Sequence, residues 1–260
     1  MRMLSVRGAE VAVRQVGRGR DIVLLHGFQN DHTAWDPYIG RLDLDAYRVT
    51  ALDFVGCGSS SSVGDWRRCT IGEYAEDLFA VCDFVPVVAP VVIGHSLGGA
   101  VALEAALTHE DRLRALVLVA PASTTGFDFL PDSDAFESLA HPTLDQQRQL
   151  ARAAFRRPPT EDEFEALLAV IARATPEHIE GAARSMRDFH RHDDLARLRL
   201  PCLLLCGDRD RHVPLQNLLA TQQAIQHCGL QVYYDIGHVP FAETPDRFAD
   251  DVGQFLKSLG

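Results

Sequence analysis

Val91-Val92-Ile93-Gly94-His95-Ser96-Leu97-Gly98-Gly99-Ala100 passes from a buried strand through a sharp turn into a helix. Residues 90–93 are a short β-branched run of the sort that a parallel strand covered on both faces requires. From Ala100 onward the residues are rich in Ala and Leu, with no breaker before Thr108-His109, which predicts a helix. Between the two lies Gly94-x-Ser96-x-Gly98. A serine in such a turn is forced into strained backbone angles, and side chains at 94 and 98 would collide with the neighbouring strand and helix. The turn lifts a hydroxyl to the end of a sheet, beside a helix N-terminus whose free N–H groups favour negative charge. It is the nucleophile-elbow pattern, met in strand–turn–helix context.

Working outward, residues 10–17 alternate and read as one arm of an edge hairpin with residues 3–7. Residues 21–25 are a buried strand ending in His26-Gly27-Phe28, and residues 33–42 are read as a helix. Residues 47–52 form the next strand, running into Asp53-Phe54-Val55-Gly56. Thr70, with Glu73 three residues on, predicts a helix to residue 85, and residues 113–119 form a further apolar strand. Strands alternating with helices imply a mainly parallel sheet covered on both faces. The alternation stops at Ala120-Pro121. From 122 to 194 there is no strand pattern, only helix starts at Thr143 (Gln146 three on), Thr160 (Glu163 three on) and Thr175-Pro176. Strand and helix patterns then resume at 201–206, 215–227 and 230–234, with a C-terminal helix to Leu259. The chain divides into a core of residues 1–121 and 195–260 and a helical insert over 122–194.

Composition bounds the possibilities. At 260 residues, 47% of them hydrophobic, the chain can bury a sizeable core as one domain carrying an insert. A formal net charge of −11 argues against nucleic acid or an anionic membrane surface as the main partner. The first residues, Met1-Arg2-Met3-Leu4-Ser5-Val6-Arg7, hold no apolar leader, and no apolar run is long enough to cross a bilayer, so the expectation is a cytoplasmic protein with no membrane partner. Six cysteines occur without CxxC pairs and read as small buried hydrophobes, not as zinc ligands or a disulfide framework. His190-Arg191-His192-Asp193 lacks the second cluster that a metal site needs and is read as a polar helix end, so no metal is expected.

A serine hydroxyl is a poor nucleophile near neutral pH and needs a base, with an acid orienting that base. Gly207-Asp208-Arg209-Asp210-Arg211-His212-Val213-Pro214 and Gly237-His238-Val239-Pro240-Phe241-Ala242-Glu243 follow the two strands after the insert. With the elbow, these segments resemble the α/β-hydrolase family, over essentially the whole chain. The resemblance implies the α/β-hydrolase fold: a mainly parallel eight-stranded sheet flanked by helices, with a helical cap inserted after strand 6. It implies Ser96 as nucleophile and His238 as base. The first segment looks like the family's Gly-x-x-Asp-x-x-Val-Pro loop, which selects Asp210 as the acid and leaves Asp208 as the alternative. The oxyanion donors are the backbone N–H of Leu97 and, by resemblance, that of Phe28. His95, before the nucleophile, is expected to point away from it into the sheet. The loop from Asp53 to Ser60 matches a family loop near the pocket and is read as turn chemistry, because no helix starts directly after it.

Within the cap, Phe127, Phe129, Leu130 and Met186 are the expected pocket residues, joined by Val239 beside the histidine. Arg148, Arg152 and Arg156 recur at four-residue spacing and are read as a solvated helix face, since acidic residues outnumber arginines over 122–194. Ser96 separates the chain from the family branches with an aspartate nucleophile, the epoxide hydrolases and haloalkane dehalogenases. Val239 stands where ring-cleavage carbon–carbon hydrolases typically carry Trp, and Ala100 where a menaquinone-pathway synthase places Arg. The expectation is a cofactor-free hydrolase of a carboxylic ester, lactone or thioester acting on a small molecule. A carbon–carbon hydrolase or a lyase on the same three residues is the alternative, and a receptor-like binding protein is the rival of another class. The sequence leaves the oligomeric state open.

Overall fold

The computed structural model describes residues 1–126 and 142–260. Its sheet has eight strands: β1 (Arg2–Val6), β2 (Ala9–Gly17), β3 (Arg20–Leu25), β4 (Tyr47–Leu52), β5 (Val91–His95), β6 (Ala115–Val119), β7 (Cys202–Gly207) and β8 (Cys228–Tyr233). Their order is β1-β2-β4-β3-β5-β6-β7-β8. β1, β2 and β4 pair antiparallel and every pair from β4 to β8 is parallel. β5 and β6 are buried along their whole length, as strands covered on both faces must be.

The core helices before the insert are α1 (Asp36–Ile39), α2 (Ile71–Phe84) and α3 (Leu97–His109). Three helices make up the described part of the insert: α4 (Leu144–Ala153), α5 (Glu161–Ile171) and α6 (Pro176–Arg187). They begin where the threonines predicted. Thr143 and Thr160 each close a reciprocal capping box, with Gln146 and Glu163 respectively, and Thr175 accepts from the N–H of His178 with Pro176 in the first turn. Then come α7 (Leu215–Ala224), α8 (Pro240–Glu243) and α9 (Pro245–Ser258). Alternate strand residues face opposite layers. Leu25, Val92 and Leu118 pack with α2, α3 and α7, while Leu24, Ile93 and Val117 pack with α1, α8 and α9.

Three helix boundaries differ from the sequence reading. The predicted helix over 33–42 is a 3-10 turn, His32–Trp35, followed by the short α1. The Asp31 carboxylate caps the 3-10 turn through the Thr33 N–H, and Pro37, which has no N–H to donate, restarts the chain as α-helix. The C-terminal helix is two helices, divided at Thr244-Pro245 for the same reason. α7 stops at Ala224 because Ile225 is extended (φ −95°, ψ 118°) and turns its side chain into the core, and β8 starts earlier in turn.

On either side of α4, α5 and α6 the chain meets itself. Thr125 and His190 form an antiparallel bridge, with Gly126 N–H on Phe189 O at 3.0 Å and Arg191 N–H on Thr124 O at 2.9 Å. No described helix is long and apolar enough to cross a membrane.

Candidate active site

Ser96 sits between β5 and α3 with φ 53° and ψ −114°. Such a left-handed conformation costs a residue with a Cβ about 1–3 kcal/mol. The surroundings over-determine it. Ser96 N–H donates to Val119 O at 3.0 Å, and Ser96 O accepts from Gly99 N–H (2.9 Å) and Ala122 N–H (2.9 Å). A methyl on Gly94 would lie 2.2 Å from Gly98 O, and one on Gly98 2.4 Å from Leu25 O, so only glycine lets the turn close this tightly.

His238 follows β8 and is almost wholly buried. Its Nδ1 lies 2.7 Å from Asp210 Oδ2. Asp210 Oδ1 accepts from the N–H groups of His212 (2.7 Å) and Val213 (3.0 Å), which fixes the carboxylate plane. Burial alone would raise the Asp210 carboxyl, but the His238 ring and these N–H donors outweigh it and hold the group below its usual range. Asp208 is elsewhere: its Oδ1 accepts from Asp235 N–H at 2.6 Å. The structure therefore brings Asp210, not Asp208, to the histidine.

Two further histidines touch His238. His95 does not withdraw into the sheet. Its ring lies 4.7 Å from that of His238, and its Nε2 donates to His238 O at 3.0 Å. Burial, followed by the neighbouring His238, pushes His95 well below its ordinary value and keeps it neutral. His212 stands edge-on to His238 at 4.9 Å and contacts Leu150 O through Nε2 at 3.1 Å, and burial lowers it to about 4. His212 was visible in the Asp210 loop by name, but nothing in sequence says that its ring would meet His238.

Phe28 lines the same cavity as Ser96, and Leu97 begins α3 directly after it. Among the described residues neither N–H donates to a protein acceptor. The N–H of Gln29, next to Phe28, is already engaged at 3.4 Å by Nε2 of His178, a buried residue of α6. The proton positions there follow from chemistry. The Tyr74 hydroxyl donates to Val55 O (3.0 Å), so His178 Nδ1–H donates to the Tyr74 oxygen (2.7 Å) and Nε2 is free to accept. Burial lowers His178 to about 3. His26 works alike: Phe54 N–H donates to its Nε2 at 3.0 Å, so Nδ1 carries the proton to Gly27 O at 2.8 Å. Both histidines anchor the loop that carries Phe28. The Asp53 loop is built as turn chemistry, its carboxylate accepting from the N–H groups of His32 and Ser59 at 2.8 Å each.

Ser96, His238, Phe28 and His95 open on one cavity of about 910 Å³. Its apolar wall includes Leu150, Ala154 and Phe155 at α4, and Leu167, Val170 and Ile171 on α5. Met186 and Val239 line it, whereas Phe127, Phe129 and Leu130 lie outside the described residues. The α4 and α5 wall is the part that sequence reasoning missed. Its three- and four-residue spacing was legible as an apolar face, but not which way that face turns. Arg148 and Arg152 pair with acidic residues of α5, and Arg156 with Asp235 at 2.8 Å, on the solvent side.

The family described as the alpha/beta hydrolase family matches residues 22–251. A pimeloyl-[acyl-carrier protein] methyl ester esterase of Aliivibrio salmonicida is 27% identical over 261 residues, covering 93% of this chain and 94% of that protein. A thermophilic esterase from Thermogutta terrifontis is 25% identical with a TM-score of 0.86, covering 99% of this chain and 98% of its own. An esterase from Exiguobacterium antarcticum reaches a TM-score of 0.89 at 21% identity over 98% of each chain, which shows the shared fold.

Proposed function

Because the chain belongs to the alpha/beta hydrolase family, we propose that it hydrolyses a carboxylic ester, lactone or thioester of a small-to-medium substrate through an acyl-enzyme. Ser96 is the nucleophile, His238 the base and Asp210 the acid that orients it. The observation that carries this reading is the convergence of the strained Ser96 turn and the Asp210-held His238 on one largely apolar cavity. Esterases among the relatives and similar structures point the same way.

In this reading His238 Nδ1–H stays on Asp210 while Nε2 takes the Ser96 proton as Oγ attacks the carbonyl carbon. The resulting oxyanion is received by the Phe28 and Leu97 N–H groups. His238 returns the proton to the leaving oxygen or sulfur, then deprotonates a water that attacks the acyl-enzyme. The acid leaves, Ser96 is reprotonated, and no cofactor enters the cycle. Residues 122–194 act as a cap over a core of 1–121 and 195–260, and six free cysteines suit a reducing, cytoplasmic setting.

Initial rates on p-nitrophenyl esters of increasing acyl length, wild type beside Ser96→Ala, test the proposal. Turnover should vanish with the hydroxyl while the unfolding midpoint stays put, and the chain-length optimum measures the acyl pocket. Residual activity near wild type in Ser96→Ala would sink the nucleophile assignment. Serine labelling by a fluorophosphonate without ester turnover would move the search to carbon–carbon cleavage and elimination substrates.

A further inference from the structure

The loop that carries His238 is held from two directions. Asp210 holds the ring from the core side, after β7. The backbone is held by the end of α4 and the residues after it. His238 N–H donates to Ala154 O at 2.7 Å, and the His212 ring that abuts His238 bonds Leu150 O. Joining these segments is Glu243, the last residue of α8. Its Oε1 accepts from Gly237 N–H at 2.8 Å, while Oε2 accepts from Arg156 N–H at 2.9 Å and Arg157 N–H at 2.7 Å. One carboxylate thus satisfies the amide before His238 and two consecutive amides of the helical segment. A methyl on Gly237 would lie 2.5 Å from Ala154 O and 2.8 Å from Arg156 N, so the two backbones are in direct contact beneath it.

We infer that Glu243 is a positioning residue that ties the placement of His238 to the docking of residues 154–157, so that the base is in register only while this part of the helical segment is seated. The inference rests on His238 being the base. The geometry is specific to a carboxylate. Three N–H donors converge on two oxygens that can only accept, whereas an amide at the same place offers one acceptor and a donor facing donors. Losing one arm loosens the histidine loop against the α4 end, and a misplacement of about 1 Å at a reacting group costs about 10²-fold in rate. The surface pair Arg156–Asp235 is half-exposed and does not substitute for the clamp.

Glu243→Gln tests it with two readouts that need no knowledge of the substrate. The first is the labelling of Ser96 by a fluorophosphonate, resolved into the maximal rate and the half-saturating concentration. The second is trypsin cleavage after Arg156, followed by mass spectrometry. A folded variant is expected to lose about ten- to hundredfold in maximal labelling rate, with the half-saturating concentration moving less than about threefold. Cleavage after Arg156 should become faster in the same protein. Faster cleavage with an unchanged labelling rate would overturn the coupling, as would slower labelling with unchanged cleavage. If Glu243→Gln does not fold, Gly237→Ala carries the test, since its methyl wedges the two backbones apart and presses on Glu243 Oε1. A wild type that does not label at Ser96 would instead remove the base assignment on which the inference stands, an outcome separate from either of the others.

Discussion

Asp210 and Asp208 stand two positions apart in one loop and end in different surroundings, one against His238 and the other against the Asp235 N–H. In the proposed mechanism Asp210→Asn leaves an amide that can present a donor to Nδ1 and so favours the wrong tautomer. The expected loss in kcat is on the order of 10⁴, by analogy with the serine-protease triad. Asp208→Asn keeps an oxygen for the Asp235 N–H and should leave turnover near wild type, so the two kcat values measured side by side check the choice. A motif separated these aspartates in the sequence because spacing within a loop is a local property. The contacts of His95, His178 and His212 were not legible in that way. Each lies against a residue distant in the chain, and a buried neutral histidine has no pattern of its own.

At the level of elements, the strands were legible because full burial leaves β-branched and apolar runs, and the insert helices because threonine followed by Gln or Glu three residues on is a local cap. The helix over 33–42 misled because its apolar spacing outlasts its backbone, which Asp31 and Pro37 divide. Glycine positions sharpen the contrast between elements that touch and elements that do not. Gly94→Ala puts a methyl against the backbone of Gly98 and should destabilise the fold by at least about 1–3 kcal/mol. Gly253→Ala, within α9 and facing open space, should stabilise it by about 0.5–1 kcal/mol. Urea unfolding of the two variants reads both signs.

For the molecule as a whole, the buried histidines link stability to pH. His178 is held at about 3 in the fold against 6.5 when free. Between those values the unfolded chain binds a proton that the native chain does not, so stability falls as pH drops below 6.5. His212, at about 4, adds a loss of the same sign. Asp210 and Asp53, both lowered, contribute stability that is present above 3.8 and lost only as pH falls below it, so that loss meets the histidine window only at its acid end. Replacing His178 with Gln should flatten the fall in unfolding free energy between pH 6.5 and 4, and an equally steep fall would show that His178 is not its source. The cavity is likewise a property of the whole. Its walls come from stretches spread along the chain from 27–37 to 238–243, and only the folded sheet says how they meet. The bridge between Thr125 and His190 adds a last consequence. A segment whose two ends touch is a cassette: it can be exchanged for another of different length and shape while every strand keeps its register. A short turn of about two to five residues would close the gap were it removed. Such an exchange keeps His238 in place only if the new segment restores the contacts that residues 154–157 make with the His238 loop and Glu243.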